Sequence, residues 1–261
     1  MNAGAWQALE SELDAWQAAG HAATLWWRDD DARVPSPALD RLVALSGDSG
    51  VPLGLAVIPE GSSDGLSGAL GVEPVTVLQH GYAHANHATP PAKKCELGDD
   101  RPLDSVRGEL EAGRDRLARN FGQGFLPVLV PPWNRISESV LNLLRGLGFH
   151  GLSTFGPRPD IQAAGVALVN THVDLIDWRG SRGFVGTESA LAALTGHLEA
   201  RRQGGVDPGE PTGVLSHHLD HDGGCWEFLE ALFSSTASHP AVRWLEPAAA
   251  FGEGVRQDAA P

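Results

Sequence analysis

Carboxylate and imidazole side chains cluster at two places in the first third of the sequence, each directly after an apolar run. The clusters are Asp29, Asp30 and Asp31 and, further along, His80 and His84. Such groups are costly to place at the ends of buried strands unless a cation binds them. The i, i+4 spacing of the histidines would put both rings on the same side of a helical turn. Together the clusters predict a binding site for one divalent metal ion.

Three further groups of polar and aromatic residues also follow apolar runs. They are Pro132, Trp133 and Asn134; then His172, Asp174, Asp177 and Trp178; then His217 and His218. The carboxyl ends of parallel strands form the rim on which β/α barrels build their active sites. We therefore expect these groups to converge at one rim. Each also has a plainer interpretation, since an HxxxH pair can arise by chance among 11 histidines and polar residues are common in solvated turns.

The elements that must position these groups alternate along the chain. Short apolar segments predict strands and the amphipathic patterns between them predict helices, which favours a (β/α) barrel over an open doubly wound sheet. The patterns predict an N-terminal helix over 5–19, a helix over 137–147 and a strand over 167–173. No linker divides the chain, so we expect a single domain spanning residues 1–261.

Composition argues against several classes of partner. The formal net charge of −14 disfavours nucleic acid and anionic membrane surfaces, because both are bound through clustered lysines and arginines. Cys95 and Cys225 lie far apart and outside any CxxC motif, which argues against a thiolate zinc site. The N-terminal segment lacks the pattern of a signal peptide, and no stretch has the length of a membrane span. We expect a cytoplasmic protein.

In order and spacing, these segments resemble the five motifs of the polysaccharide deacetylase family, which comprises metal-dependent carbohydrate esterases. The matching stretches are 28–32 for Thr-Phe-Asp-Asp-Gly, 80–84 for His-[Ser/Thr]-x-x-His, 130–134 for Arg-x-Pro-Tyr-Gly, 174–178 for Asp-x-x-Asp-Trp and 215–217 for Leu-x-His. The resemblance covers nearly the whole chain. It implies an α/β fold with a distorted (β/α)7 barrel, against which the N-terminal helix packs.

The resemblance also implies a metal site and a catalytic base. Asp30 would be the base and Asp31 a metal ligand, with Asp29 and Asp30 as the alternative pair. His80 and His84 would complete the ligand set and leave positions open for water and substrate. Nitrogen and oxygen ligands of this kind suit zinc best, with cobalt or nickel as alternatives.

Further roles follow from the same resemblance. The backbone N–H of Trp133 would stabilise the oxyanion, and His217 would protonate the leaving amine. From the residues alone, Asp174 is either part of an acidic turn or the partner of a catalytic imidazole. The residues expected to contact substrate are Trp178, Pro132, Asn134 and Arg28.

One position departs from the family pattern. The motif arginine that orients the catalytic base is Val130 in this sequence. Either Arg28 or Arg135 takes its place, or the base is poorly held and the activity is reduced or changed.

The function expected is hydrolysis of an acetyl or similar acyl group from a small N-acetylated sugar or related amide. One alternative is a catalytically silent barrel that binds carbohydrate. Another is a different metallohydrolase barrel, such as an amidohydrolase or a histidinol-phosphatase-like phosphoesterase. Those families place an HxH motif after their first strand, where this sequence has carboxylates.

Overall fold

The computed structural model describes residues 3–71 and 74–252, which contain ten β-strands and eight α-helices. The strands are β1 (Ala23–Ala32), β2 (Leu53–Val57), β3 (Val75–His80), β4 (Phe125–Val130), β5 (Gly151–Leu152), β6 (Gln162–Ala163), β7 (Val166–Leu168), β8 (Val173–Asp174), β9 (Thr212–Ser216) and β10 (Val242–Trp244). The helices are α1 (Ala3–Ala18), α2 (Pro37–Ser49), α3 (Leu66–Leu70), α4 (Leu103–Phe121), α5 (Glu138–Leu141), α6 (Thr187–Gln203), α7 (Gly223–Thr236) and α8 (Pro247–Ala250).

The strands pair as one sheet that closes on itself. Strands β1 to β5 pair in parallel in chain order, and β9 pairs in parallel with the other edge of β1. The segment 166–174 joins the two free edges, since β7 pairs with β5, Thr171 bridges to Phe155 and β8 pairs with β9. Strands β1 to β5, this segment and β9 give seven positions around the axis. The predicted distorted (β/α)7 barrel is confirmed.

The two faces of β1 carry different residues because side chains alternate along a strand. Trp26 lies inside the barrel with apolar residues from the neighbouring strands, including Leu78 and Val130. Trp27 lies on the opposite face, in the larger core between the sheet and the surrounding helices. Arg28 therefore shares the interior face with Trp26. The same alternation determines which face of β1 the side chains of Asp29, Asp30 and Asp31 would occupy.

The N-terminal helix packs on the outside of the barrel. Leu9, Leu13 and Trp16 belong to the core between helices and sheet. Glu12 also pairs with Arg202 of α6 through two hydrogen bonds of 2.7 and 2.8 Å. The predicted helix over 5–19 is observed over Ala3–Ala18. No helix in the part of the chain described by the structure is long and apolar enough to cross a membrane.

Two predicted elements were wrong in extent. The helix expected over 137–147 ends as α5 at Leu141, and irregular hydrogen-bonded turns continue to Leu147, followed by Gly148 at φ 79°. The strand expected over 167–173 is divided into β7 and β8 because the segment changes partners from β5 to β9.

Candidate active site

Asp31, His80 and His84 converge at the carboxyl ends of β1 and β3. The Oδ1 atom of Asp31 lies 3.1 Å from Nε2 of His80 and 3.3 Å from Nε2 of His84. One ligand atom from each of the three residues lies within 4.8 Å of the other two. Three donors of carboxylate and imidazole type converging on one point can bind a divalent metal ion and leave coordination positions open.

A local change in backbone conformation turns Asp31 towards this point. Strict alternation would place Asp31 on the same face as Asp29, away from the barrel interior. Asp31 instead has φ 76°, and the pairing of β1 with β2 shifts register between Asp29 and Ala32. A left-handed backbone at a residue other than glycine costs about 1–3 kcal/mol and is typical of functional sites.

The two histidines present their Nε2 atoms for different local reasons. His80 is buried, and its Nδ1 lies 3.0 Å from the carbonyl oxygen of Val130. A proton on Nδ1 donated to that carbonyl leaves the Nε2 lone pair free for a metal, as in many metal-binding histidines. His84 has φ 56°, and its ring packs 4.5 Å from the ring of Trp133.

The electrostatics of the three residues fit a cation site. Burial alone would raise the pKa of Asp31, but the hydrogen bond from His80 and the charges of both histidines outweigh it and lower that pKa. Burial would lower the pKa of His80, but its hydrogen bond to Asp31 and the charges of Asp30 and Asp31 raise it. Burial and the charge of His80 lower the pKa of His84, which favours the neutral imidazole that metals bind.

Arg28 binds Asp30 on the interior face of β1. Its Nε and Nη2 atoms donate to the two carboxylate oxygens of Asp30 at 2.8 and 2.9 Å. The remaining donors reach Ser153 Oγ at 2.6 Å and Asn134 Oδ1 at 3.0 Å. Arg28 is 0% exposed, so the prediction that it contacts substrate was wrong, because the surrounding protein groups occupy its guanidinium. Arg135 instead donates to the carbonyl oxygen of Lys94.

Asp29, the first carboxylate of the triplet, faces away from this site. It accepts hydrogen bonds from Ser216 Oγ at 2.6 Å and from the backbone N–H of His218 at 3.0 Å, and it lies 2.5 Å from His218 Nδ1. Burial would raise the pKa of Asp29, but the charge and hydrogen bond of His218 outweigh it and lower that pKa. The structure therefore separates the carboxylates: Asp29 pairs with His218, Asp30 with Arg28, and Asp31 with the two histidines.

The loop after β4 contributes Pro132, Trp133 and Asn134. Trp133 and Asn134 have φ 56° and 54°. Pro132 is buried, and Asn134 accepts a hydrogen bond from Arg28. Pro132 and Asn134 were both predicted to bind substrate. In the structure, Pro132 is buried and the side chain of Asn134 is hydrogen-bonded to Arg28.

His217 lies next to Trp178 at the ends of β9 and β8. The two rings meet edge to face, with centroids 4.7 Å apart, and Trp178 remains 36% exposed. Asp174 accepts hydrogen bonds from Trp178 Nε1 at 2.8 Å and from the backbone N–H of Ile176 at 3.0 Å. Asp174, predicted as the partner of a catalytic imidazole, makes its side-chain hydrogen bonds to Trp178 and Ile176, and the ring of Trp178 in turn contacts His217. Burial raises the pKa of Asp174 despite the charge of His217.

A second cluster of potential ligands, His172, His197 and Glu210, is buried away from this site. Nδ1 of His172 accepts the backbone N–H of Gly213 at 2.9 Å. A neutral imidazole then carries its proton on Nε2, which lies 3.4 Å from Glu210. That nitrogen offers no lone pair to a metal, so we interpret the cluster as a buried hydrogen-bond network.

Some residues around the site could not be found from the sequence. Ser153, which binds Arg28, follows a strand of only two residues. Glu96 binds the loop that carries His84, yet it lies in a segment without periodic pattern. No sequence motif marks either position.

Comparison with known proteins identifies the fold. No family model matches the sequence, and no curated protein matches it either. Solved structures do match: a family 4 carbohydrate esterase from Streptomyces lividans has 14% identity and a TM-score of 0.55, covering 85% of this chain and 90% of that one. The peptidoglycan N-acetylglucosamine deacetylase Bc1960 has 15% identity and a TM-score of 0.58, covering 91% and 95%.

A third similar structure is a family 4 pseudoenzyme from Bacillus anthracis, with 14% identity and a TM-score of 0.51 over 82% of this chain and 60% of that one. The protein thus has the fold of the polysaccharide deacetylases, and the resemblance seen in its five motifs is confirmed at the level of the fold. At these identities the likeness carries no further conclusion about activity.

Proposed function

We propose that the protein is a metal-dependent hydrolase that removes an acetyl or similar acyl group from an N-acetylated sugar or related amide. The observation that carries this proposal is the position of Asp31 Oδ1 within 3.3 Å of both His80 Nε2 and His84 Nε2. It is supported by a second carboxylate, Asp30, on the neighbouring position of β1.

The residues fit a divalent ion. Oδ1 of Asp31 is buried, and the groups that face it are the Nε2 atoms of His80 and His84, so a cation held between the three would satisfy its charge. The donor set of one carboxylate and two imidazoles suits zinc, with cobalt or nickel as alternatives. When bound, such an ion polarises a substrate carbonyl and lowers the pKa of a bound water.

Asp30 is proposed as the catalytic base. The two-pronged hydrogen bond from Arg28 fixes the orientation of its carboxylate, which is the task of the motif arginine that Val130 replaces. Arg28, on β1, would thus orient the carboxylate of Asp30 in place of the arginine that Val130 replaces on β4.

Two further groups complete the proposed chemistry. The backbone N–H of Trp133, in a left-handed conformation at the rim, is proposed to donate to the oxyanion. His217 is proposed to protonate the leaving amine. Its ring is held by Trp178, which Asp174 fixes in turn.

The substrate class is proposed to be a small acetylated sugar or similar amide. Trp178 presents an aromatic surface at the rim, and such a surface can stack on the apolar face of a sugar ring. The similar structures include a deacetylase of peptidoglycan N-acetylglucosamine, which supports an amide on an amino sugar.

A catalytically silent barrel is the second candidate. The Bacillus anthracis pseudoenzyme with this fold and the loss of the motif arginine at Val130 favour it. The pairing of Arg28 with Asp30 and the convergence of three potential ligands favour the enzyme.

The test combines metal analysis with an activity screen. Purified protein is loaded with Zn²⁺ or Co²⁺, dialysed and analysed for bound metal, and acetate release is measured from N-acetylated sugars. We expect one equivalent of metal and release of acetate. Metal binding without acetate release would favour the silent barrel, and the lack of stoichiometric metal would contradict the proposal.

A further inference from the structure

Glu96 is a buried carboxylate directed at the loop between the two histidine ligands. It is 0% exposed, although it lies in a loop segment without helix or strand. Its oxygens accept the backbone N–H groups of Tyr82 at 3.2 Å and of Ala83 at 2.7 Å, with a longer contact of 3.5 Å from Ala85. A side chain from a distant part of the loop thus orders the whole turn that follows β3.

These hydrogen bonds lie on both sides of His84. Ala83 precedes His84 and Ala85 follows it, and both donate to the same oxygen, Oε1 of Glu96. His84 itself has φ 56°, a conformation that residues other than glycine adopt only when the surroundings impose it. Glu96 holds the N–H groups of the residues before and after His84, and Arg33 Nη2 donates to the carbonyl oxygen of Ala83 at 2.9 Å, so both side chains restrain the backbone around this strained residue.

Gly81 shows that the carboxylate occupies space that a side chain would otherwise take. Gly81 has φ 55°, and a Cβ added to it would collide with Oε2 of Glu96 and lie 2.6 Å from Cδ of Pro132. In the motif that 80–84 resembles, this position is serine or threonine. In this chain Glu96 and Pro132 occupy the space that such a side chain would need.

Charge gives Glu96 a second consequence for the site. Its hydrogen-bond partners in the described residues are backbone N–H groups, which stabilise a carboxylate but carry no full positive charge. A divalent ion bound by Asp31 and two neutral imidazoles retains one net positive charge. A buried carboxylate bonded to the residues that flank His84 would balance it.

We propose that Glu96 is a positioning residue that sets the metal affinity of the Asp31, His80 and His84 site without contacting the metal. It fixes His84 in its left-handed conformation and balances the charge of the ion. This inference rests on the metal site of the proposed function.

The test compares Glu96→Gln and Glu96→Asp with a matched control, Glu210→Gln. Glu210 is also 0% exposed and also accepts two backbone N–H groups, from Arg158 at 2.9 Å and Asn170 at 3.1 Å, but it lies in the separate buried cluster. Zn²⁺ affinity is measured by calorimetry with a competing chelator, and unfolding by thermal denaturation of the metal-free proteins.

We expect Glu96→Gln to weaken Zn²⁺ binding by about 10- to 100-fold, as does loss of groups that orient metal ligands. Glu96→Asp, which retains the charge with a shorter reach, should lie between wild type and Glu96→Gln. Glu210→Gln should lose thermal stability but keep wild-type affinity. Zn²⁺ affinities of both Glu96 variants within threefold of wild type would overturn the inference. If Glu96→Gln does not fold, the same threefold criterion is applied to Glu96→Asp alone. Absence of Zn²⁺ binding by the wild type would instead contradict the proposed function.

Discussion

Arg28 and Asp30 lie two residues apart on β1 and form a two-pronged hydrogen bond, with both donor–acceptor distances below 3 Å. The period of two along a strand puts both side chains on the barrel interior, where Arg28 is completely buried. A buried pair of this geometry orients the carboxylate strongly, and removal of one partner leaves an uncompensated charge. The relationship explains how a site with valine at position 130 can still hold its proposed base.

The first prediction concerns this pair. Arg28→Met should lower the free energy of unfolding by about 3–5 kcal/mol, because it leaves the Asp30 carboxylate buried without its partner. Arg28→Lys keeps the charge but loses the paired geometry, so it should fold better while still reducing kcat. Chemical denaturation and acetate-release kinetics measure the two effects.

Arg135→Ala is the control for that prediction. Its guanidinium donates to the carbonyl oxygen of Lys94 rather than to the base, so kcat should stay close to wild type. If Arg135→Ala reduced kcat as much as Arg28→Lys does, the base would be oriented differently from our proposal.

A second prediction concerns the metal ligands. His80→Ala and His84→Ala should each abolish stoichiometric binding of a divalent ion, because only two of the three protein ligands remain. His172→Ala, in the separate buried cluster, should retain one equivalent. Metal content after loading and dialysis, with folding checked by circular dichroism, measures this. A folded His80→Ala protein that still binds one equivalent would show that the ligand assignment is wrong.

The third prediction separates the two adjacent histidines. His217→Ala should reduce kcat by about 10²- to 10⁴-fold while metal binding persists, as expected for loss of a general acid. His218→Gln should act mainly on stability, since His218 pairs with the buried Asp29 on the outer face of β1. Equal losses of kcat in the two variants at equal stability would remove the special role of His217.

The fourth prediction is a pH dependence of stability. Burial, with the charges of His172 and Arg201, lowers the pKa of His197 to about 3 from an ordinary value of 6.5. As the pH falls below 6.5, the unfolded chain takes up a proton at this position before the folded chain does, so stability falls with pH between about 6.5 and 3. One proton corresponds to a slope of at most about 1.4 kcal/mol per pH unit.

His197→Gln should therefore flatten the decline of unfolding free energy between pH 6.5 and 4. His21→Gln, at an exposed position, serves as the control variant. Denaturant titrations of metal-free protein at several pH values give the comparison. A wild-type slope retained in His197→Gln would mean that this imidazole takes up its proton in the folded state as well.

The sequence was sufficient to predict the barrel and the convergence of the polar clusters at the carboxyl ends of its strands. Apolar runs that stop at polar clusters mark the carboxyl ends of parallel strands, and the barrel brings those ends together. These features depend on periodicity and strand direction, which a sequence carries directly. The helical turn expected between His80 and His84 is not observed, since residues 81–84 are not helical and His84 has φ 56°.

Other features depend on tertiary contacts that no local pattern records. The choice among Asp29, Asp30 and Asp31 follows from the irregular pairing of β1 with β2 and the positive φ of Asp31. Arg28 was predicted to contact substrate because its partners Ser153, just after β5, and Asn134, in the loop after β4, lie far along the chain and are not visible in the local sequence. The helix expected over 137–147 was too long because an apolar pattern also suits a series of tight turns.

The last prediction concerns substrate size. The formal charge of −14 repels long anionic glycans at low ionic strength, and Trp178 offers one exposed aromatic surface for a sugar ring. We expect faster acetate release from monomeric N-acetyl sugars than from peptidoglycan or chitin oligomers.

Trp178→Ala should raise KM for the preferred substrate, whereas Arg179→Ala, at the exposed neighbouring position, should not. Acetate release is compared at low salt and at about 0.5 M salt. Added salt shortens the Debye length and so weakens the repulsion between the protein and the anionic polymer, which should raise release from that substrate alone. A preference for polymers that persists at both salt concentrations would contradict the small-substrate proposal.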